Sequence, residues 1–338
     1  MTAIIDRLAD VLQVWLRRTG AILCYHGMTS LGVPASGSLH LPATDFAATL
    51  ELLHNTWTTV PLEELVRRHE DGRTTKGLVA ITFDDAYATI LGVAADLIAQ
   101  ETIPITVFPV GGALTSGSRF WWDRVDDVFP SLAPARWRQF EDACGLPEAY
   151  RRGQPSALGP LRPLRQWILA GFHGRWPQAL SSELEELERE AQRSTVQRSM
   201  SVAELTALAA RAPIYVGVHT VTHPVLPFLS DAEVEREIMQ CFDLISERCP
   251  NPVPILAVPY GLADARTVKL ARACGMISSL SLAGSALRSE TSVEWLPRIC
   301  LSAGVSRWKL NLRLAGATGR PWFSRTEPHF PALPSATT

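Results

Sequence analysis

The feature that most constrains the fold is a series of short apolar runs, each of strand length and most of them followed by a stretch with helix signals. The runs cover residues 21–25, 78–83, 105–110, 214–218, 255–258 and 276–282. Helix signals lie between them, over residues 45–53, 86–100, 230–249 and 264–274. This alternation predicts an α/β fold with a parallel sheet that helices cover.

One long stretch interrupts the alternation. Residues 118–212 carry five tryptophans, a middle rich in proline and arginine, and a polar helical run over 181–197, which together predict a mostly helical insertion. We therefore expect an amphipathic N-terminal helix over residues 1–20, a main body over 21–320 that contains the insertion, and a loose C-terminal tail over 321–338.

The composition excludes some classes of partner. The chain has 338 residues and a formal net charge of −2, so it has no basic excess for binding nucleic acid. No run approaches the roughly 20 apolar residues of a membrane span. We expect a cytoplasmic protein without a transmembrane segment, although the N-terminal helix could contact a membrane surface or a partner. The six cysteines form no CxxC pair, and reduced structural thiols are expected.

Two adjacent carboxylates, Asp84 and Asp85, lie where the apolar run 78–83 gives way to helix signals. In β/α folds this end of a strand is where active sites are built. Adjacent residues there point in different directions, so the two acids can take different roles. The alternative is a helix N-cap, because aspartate is favoured at that position.

A second strand end supplies His219 and His223, which follow the run 214–218. A spacing of four residues places two side chains on one face of a helical turn, where a metal ion can bridge them. With an aspartate from another strand end they form a His2Asp set that suits zinc or a similar divalent ion.

A third strand end carries the turn formed by Pro259, Tyr260 and Gly261. Such a turn can direct the Tyr260 backbone N–H out of the sheet, because glycine permits an unusual dihedral. An N–H directed at a site can serve as an oxyanion donor. The alternative is a tight turn that only closes the strand.

These three strand ends, in this order, resemble the polysaccharide deacetylase family, which is also called carbohydrate esterase family 4 or the NodB homology domain. The opening strand, which ends in Tyr25, His26 and Gly27, resembles the Tyr-His strand of many members. The resemblance covers about residues 21–302 apart from the insertion. It implies a distorted (β/α)7 barrel and hydrolytic removal of acetyl groups from sugars.

The resemblance also implies roles for single residues. Asp84 would be the catalytic base, and Asp85, His219 and His223 would hold one divalent metal ion, with Zn2+ favoured and Co2+ or Ni2+ as alternatives. Tyr260 would bind the oxyanion through its backbone N–H, beside Pro259 in the substrate site.

The chain departs from the family pattern in three respects. Ala257 replaces an arginine of the third motif, Ala86 follows the acids where glycine is usual, and no late histidine matches the family's general acid. If the sheet closes into a barrel, Arg298 could replace the missing arginine and pair with Asp84. The alternative is an ion pair with a loop acid such as Glu294.

Other residues have both a functional and a structural interpretation. His26 could line the site as a hydrogen-bond partner or acid, although a lone histidine is more often structural. Trp122 and Asp123 could contact substrate, because tryptophan faces stack on sugar rings, or they could anchor the insertion to the barrel. The remaining histidines, His40 among them, show no partner pattern and are expected at the surface.

The function expected from these observations is hydrolytic deacetylation of an N-acetylated sugar by a metal-dependent enzyme. An esterase acting on O-acetyl sugars is an alternative, because the same chemistry attacks both carbonyls. A barrel that binds a glycan or a partner protein without turnover is a third, motivated by the missing arginine and histidine.

Overall fold

The computed structural model describes residues 19–29, 39–129, 132–151, 162–191, 197–211 and 213–316. The helix predicted over residues 1–20 lies outside these ranges for all but its last two residues, and the tail predicted over 321–338 lies entirely outside them. Among the described helices, none combines the length and the apolarity needed to cross a membrane.

The main sheet is parallel, as the sequence predicted. Its strands are β1 (Ala21–Tyr25), β4 (Thr58–Thr59), β5 (Leu78–Asp84), β6 (Ile105–Phe108), β7 (Ile214–Val218), β8 (Pro252–Ala257), β9 (Ser278–Leu280), β10 (Trp295–Leu296) and β11 (Ile299–Cys300). They run in the order β10-β9-β8-β7-β6-β5-β1-β11, and β4 pairs with β5. A separate pair is formed by β2 (Gly27–Thr29) and β3 (His40–Pro42).

The two ends of this strand order belong to one segment of chain. Only Pro297 and Arg298 separate β10 from β11, yet β10 pairs with β9 while β11 pairs with β1. The sheet therefore curls until both of its edges meet this segment, and helices surround it. The predicted α/β barrel of the NodB type is confirmed in this form, with parallel strands in a curled half-barrel.

Helices cover the strands and fill the connection between β6 and β7. They are α1 (Ala43–Thr56), α2 (Leu62–Glu70), α3 (Val93–Gln100), α4 (Gly111–Ser116), α5 (Trp121–Val128), α6 (Pro134–Ala143), α7 (Arg162–Gly171), α8 (Ser181–Ala191), α9 (Val202–Ala209), α10 (Asp231–Arg248), α11 (Ala265–Ala273) and α12 (Arg307–Leu314). Helices α5 to α9 lie within the segment predicted as a helical insertion.

Alternate strand residues face opposite sides of the sheet, and both sides are buried. The inward face of β5 carries Ala80, whose apolar neighbours include Ile22, Ile255 and Leu296 from other strands. The outward face packs against the helices in a larger cluster that includes Ile81. Because side chains alternate, Asp84 lies on the same inward face as Ala80.

The insertion has an aromatic core of its own. Trp121, Trp122, Trp137, Phe140 and Trp167 belong to one buried cluster, which also includes Tyr87 from the loop after β5. Large aromatic side chains bury much apolar area, and this burial stabilises the attachment of the insertion to the barrel.

Candidate metal and catalytic site

Three buried side chains, Asp85, His219 and His223, converge at the carboxyl ends of β5 and β7. Asp85 Oδ1 lies 3.5 Å from His219 Nε2 and 3.7 Å from His223 Nε2. One potential ligand atom from each residue lies within 4.8 Å of the other two. Two ligands of a tetrahedral zinc ion, each about 2.0–2.2 Å from it, would be about 3.3–3.6 Å apart. The spacing therefore fits a single divalent ion.

The hydrogen bonds of these residues also fit a metal. His219 Nδ1–H donates to the Ala257 carbonyl at 2.7 Å, so its Nε2 carries a free lone pair directed at Asp85. Asp85 Oδ1 is buried and has no hydrogen-bond partner among the described residues. A buried carboxylate oxygen without a donor is costly, and a cation between it and the two imidazoles would remove that cost.

The charge states suit coordination as well. Burial and the neighbouring His219 lower the pKa of His223 to about 3, although Asp85 opposes the shift. His223 is therefore neutral at pH 7, as a ligand must be. Burial raises the pKa of Asp85, but the two neighbouring imidazoles, His219 and His223, outweigh it, so the pKa lies below its ordinary value.

The backbone after β5 separates the two acids. Asp85 has φ of 65° and Ala86 has φ of 51°, both in the left-handed region, which turns the Asp85 side chain away from Asp84. The helix-cap alternative is wrong, because the next helical turn, Ala88–Leu91, has Tyr87 at its N-cap and no side-chain cap bond. The positive φ at Ala86 also explains why glycine suits this position.

The two histidines do not lie on a helical turn, and that part of the prediction is wrong. The chain from residue 219 to residue 223 is irregular, with Thr220 at φ of 65° and His223 at φ of 57°. The imidazole rings nevertheless lie 4.8 Å apart. The His223 N–H donates to Thr220 Oγ1 at 3.1 Å, which stabilises the turn.

Glu237, on α10, holds this loop and was not identified from the sequence. Its Oε2 accepts hydrogen bonds from the N–H groups of Val221 and Thr222, both at 2.8 Å. Its Oε1 accepts from the Thr222 hydroxyl at 2.6 Å and from Arg175 at 2.8 Å. One buried carboxylate therefore fixes the residues between the two histidines. This role of Glu237 is visible only from its contacts with the loop in the folded structure.

Asp84 forms the contact with Arg298 that the sequence predicted. The guanidinium donates to Asp84 Oδ1 at 2.6 Å and to Oδ2 at 2.7 Å, as a bidentate ion pair. Both side chains are buried, and Glu294 is not the partner. Burial raises the pKa of Asp84, but the charges of Arg298 and His219 outweigh it and hold the pKa far below its ordinary range. Asp84 is therefore ionised at neutral pH.

The turn after β8 leaves the Tyr260 backbone N–H out of its own hydrogen bonds. Pro259 is buried, and Tyr260 has φ of 58°. The bonds that close the turn run from Gly261 N to Val258 O and from Leu262 N to Pro259 O, so neither uses the Tyr260 N–H. The Tyr260 ring packs 4.5 Å from the His223 ring, which places this turn beside the metal ligands.

Trp122 and Asp123 belong to a buried network behind His223. The Trp122 ring lies 4.8 Å from the His223 ring, and its Nε1–H donates to the Tyr87 hydroxyl at 2.8 Å. Asp123 accepts from Tyr87 at 2.6 Å and pairs with His40 Nε2 at 2.9 Å. Through these contacts Trp122 packs against His223, and Asp123 holds Tyr87 and His40 in place. Direct contact of Trp122 or Asp123 with substrate stays a prediction.

The expectation of a surface position for His40 is wrong. His40 is 1% exposed, because β3 places it against Gly27, where any Cβ would collide with the imidazole. Its partner Asp123 lies 83 residues further along the chain, and no local pattern indicates a pairing over that distance.

His26 borders the same site in company with two cysteines. Potential ligand atoms of Cys24, His26 and Cys300 lie within 4.8 Å of one another. Cys24 Sγ also lies 3.5 Å from Asp84 Oδ2. Burial lowers the pKa of His26, but a hydrogen bond with Cys300 and the charge of that thiolate outweigh it and raise the pKa to about 9.

The structure thus combines a half-barrel of parallel strands with an Asp-His-His cluster and a second aspartate at the strand ends. The polysaccharide deacetylase family model matches residues 183–278, and the predicted family resemblance is confirmed. The matched range contains His219, His223 and Tyr260, while Asp84 and Asp85 precede it. No curated protein matches the sequence significantly.

Solved structures share the fold at low sequence identity. The Streptococcus pyogenes deacetylase PplD in complex with acetate superposes with a TM-score of 0.57 at 14% identity, covering 88% of this chain and 98% of its own. IcaB from Ammonifex degensii superposes with a TM-score of 0.54 at 15% identity, covering 88% of this chain and 97% of its own. The de-N-acetylase from Aggregatibacter actinomycetemcomitans superposes with a TM-score of 0.52 at 12% identity, covering 86% of this chain and 98% of its own.

Proposed function

We propose that this protein is a metal-dependent hydrolase that removes the acetyl group from an N-acetylated sugar of a glycan or glycoconjugate. One observation carries the proposal: Asp84, ionised and fixed by Arg298, directly precedes Asp85 of the three-ligand cluster. A carboxylate base adjoining a His2Asp set is the arrangement that hydrolysis of an acetyl group needs.

Asp85, His219 and His223 would hold the divalent ion, with Zn2+ favoured and Co2+ or Ni2+ as alternatives. Nitrogen and carboxylate ligands suit these borderline ions. When bound, the ion would polarise the acetyl carbonyl and lower the pKa of water. Two further contacts orient these ligands, since the Ala257 carbonyl accepts from His219 and Glu237 fixes the loop that carries His223.

Asp84 takes the proton of the attacking water. Each carboxylate oxygen accepts two hydrogen bonds. Oδ2 already accepts from Arg298 and from the Cys24 thiol, whereas Oδ1 accepts from Arg298 alone among the described side chains. The free lone pair of Oδ1 is therefore the acceptor. Arg298 keeps the carboxylate oriented and unprotonated in a buried position.

The left-handed Tyr260 directs its backbone N–H toward the developing oxyanion, and Pro259 fixes the start of that turn. Tyr260 is itself anchored, because its hydroxyl donates to the Gly174 carbonyl at 2.8 Å. His26, which borders Asp84 through Cys24, is our candidate for the acid that protonates the departing amine.

The same geometry supports the choice of an N-acetyl substrate. An amine is a poor leaving group, so amide hydrolysis needs an acid near the leaving nitrogen, and His26 supplies a candidate beside the base. The de-N-acetylase that shares the fold is consistent with this choice.

The proposal is tested by measuring acetate release. The full-length protein, loaded with Zn2+ or Co2+, is incubated with N-acetylglucosamine oligosaccharides and, separately, with an O-acetylated xylan. Release from the N-acetyl substrate alone is expected, and it should be lost in Asp84→Asn. Release from the xylan alone would replace the amidase with an esterase. Absence of acetate from both substrates, with metal bound, would favour a non-catalytic glycan-binding barrel and overturn the proposal.

A further inference from the structure

A second group of metal-ligand side chains lies beside Asp84 and is separate from the Asp-His-His cluster. Cys24 and Cys300 are direct partners on the neighbouring strands β1 and β11, so their side chains leave the sheet on the same side. His26 is two residues after Cys24 and shares its inward direction. One atom from each of the three lies within 4.8 Å of the others.

The group has open ligand positions. His26 is 8% exposed, and its Nδ1 is buried without a hydrogen-bond partner among the described residues. Cys24 and Cys300 are both free cysteines. Cys24 is completely buried while Cys300 is half-buried, so Cys300 is the most exposed member of the group.

We infer that Cys24, His26 and Cys300 form a second metal site, selective for a thiophilic ion such as Zn2+, and that occupying this site inhibits the enzyme. Two thiolates and one imidazole are a known zinc ligand set that leaves a fourth position for another group. Thiolate ligands favour zinc and copper(I) over magnesium or calcium. The ligands must be thiolates and a neutral imidazole, so binding releases whatever protons these three groups carry, and the metal takes their place.

The charges at this position balance when the ion is bound. Cys24, Cys300 and Asp84 would carry three negative charges, and the ion with Arg298 would carry three positive ones. Without such balance a buried ion would be too costly. The Asp84 carboxylate suits the fourth position, because its Oδ2 lies 3.5 Å from Cys24 Sγ.

An ion at the second site would inhibit because it engages the groups that act as base and acid, and this part of the inference rests on the proposed function. An ion at this position competes for the Asp84 carboxylate and ligates His26. The base and the candidate acid would then both be occupied. The first metal would activate the protein, and an excess of a thiophilic metal would switch it off.

The test is a titration of the full-length protein with Co2+, followed in the near ultraviolet. Charge transfer from thiolate to cobalt gives a band there that the sulfur-free Asp85-His219-His223 cluster does not produce. We expect the band in the wild type and in His223→Ala, and its loss in Cys300→Ser. In Cys300→Ser the affinity of this second site for Co2+ should fall by more than roughly 10- to 100-fold, which is the usual cost of losing a residue that only hydrogen-bonds to a ligand.

The matched control is Cys144→Ser, which removes a partly buried thiol of the insertion and should leave the band unchanged. A readout that needs no variant is alkylation of Cys300, which Zn2+ should slow in the native wild type. Absence of the band, its persistence in Cys300→Ser, or unprotected alkylation would each overturn the site.

Acetate release at excess Zn2+, normalised to each variant's own activity, tests the inhibition. It should fall in the wild type and in Cys144→Ser but much less in Cys300→Ser, and equal loss in all three would overturn the inhibitory role. A cobalt band in a protein that releases no acetate would refute the proposed function while the second metal site stands.

Discussion

Five residues at the site, Asp85, Ala86, Thr220, His223 and Tyr260, have positive φ although none is glycine. For residues other than glycine this conformation costs on the order of 1–2 kcal/mol each. Such strain persists only where the surrounding structure over-determines it, and it concentrates at functional sites. Here it occurs at two of the three candidate metal ligands, Asp85 and His223, and at Tyr260 in the turn beside them.

The roles of the two adjacent acids are separable by mutation. Asp84→Asn should bind metal normally at the Asp85-His219-His223 cluster but lose about 10²- to 10⁴-fold in turnover, the usual contribution of a general base. Asp85→Asn should lose metal affinity as well, because a neutral amide replaces an anionic ligand. Metal titration and acetate release on both variants check this. Equal loss of metal in the two would show that the roles are shared or reversed.

Removing Arg298 should affect both stability and pH dependence. Arg298→Ala leaves a buried carboxylate unpaired, which typically costs about 3–5 kcal/mol. The free energy of unfolding, measured in urea, should fall by this order. Arg298→Lys is the matched control, since it keeps the charge without the bidentate geometry and should lose less.

The sign of the pH effect follows from the ion pair. Asp84 acts as a base only above its pKa, and Arg298 holds that pKa low against the opposing effect of burial. In Arg298→Ala the pKa of Asp84 rises, so activity should begin at a higher pH while metal affinity at the Asp85-His219-His223 cluster is unchanged. A pH-rate profile identical to that of the wild type would contradict this role of Arg298.

At the level of elements, strands were more predictable than loops. The apolar run at 21–25 coincides with β1, and that at 214–218 coincides with β7, because buried parallel strands are continuous apolar segments. The helix predicted over 86–100 begins later, at Val93 after the turn Ala88–Leu91. The helix starts later because Asp85 and Ala86 adopt left-handed conformations, and helix propensities do not indicate such conformations.

The loop between the histidines shows why local spacing was insufficient. A separation of four residues fits a helical turn, but the loop is held by Glu237 of α10, whose Oε2 binds two successive N–H groups. That carboxylate lies 14 residues after His223. The metal ligands were therefore predictable as residue types, whereas their geometry depends on a tertiary contact.

Glu237 gives a prediction at this scale. Glu237→Gln keeps the size but replaces one acceptor oxygen with a donor amide, so at least one of the loop contacts should be lost. We expect metal affinity to fall by roughly 10- to 100-fold, as for other outer-shell partners. The control is Glu235→Gln, an exposed residue on the same helix. Isothermal titration with Zn2+ measures the affinities of the two variants, and equal affinities would refute the positioning role of Glu237.

At the scale of the whole molecule, closure of the curled sheet assembles the site. Arg298 and Asp84 are 214 residues apart in the chain, and they meet because the segment of β10 and β11 joins both edges of the sheet. This contact was predictable once a barrel was assumed. The convergence of Cys24 with Cys300, and of His40 with Asp123, was not, because each depends on register and side-chain direction that no local pattern records.

The site draws its ligands from two separate strand ends, so metal binding should stabilise the entire fold. An ion that binds only the native state, present at 100 times its Kd, adds about 2.7 kcal/mol. For a chain of this size that corresponds to about 4 °C in Tm, because the shift per kcal/mol becomes smaller as the unfolding entropy grows with chain length. The comparison is best made in Cys300→Ser, which removes the second cluster, between chelator-treated and Zn2+-loaded protein. We expect a clear rise in Tm in that variant and almost none in the double variant Cys300→Ser, His223→Ala, because two ligands rarely hold such an ion. An equal rise in both variants would place the stabilising ion elsewhere and separate the thermal effect from Asp85, His219 and His223.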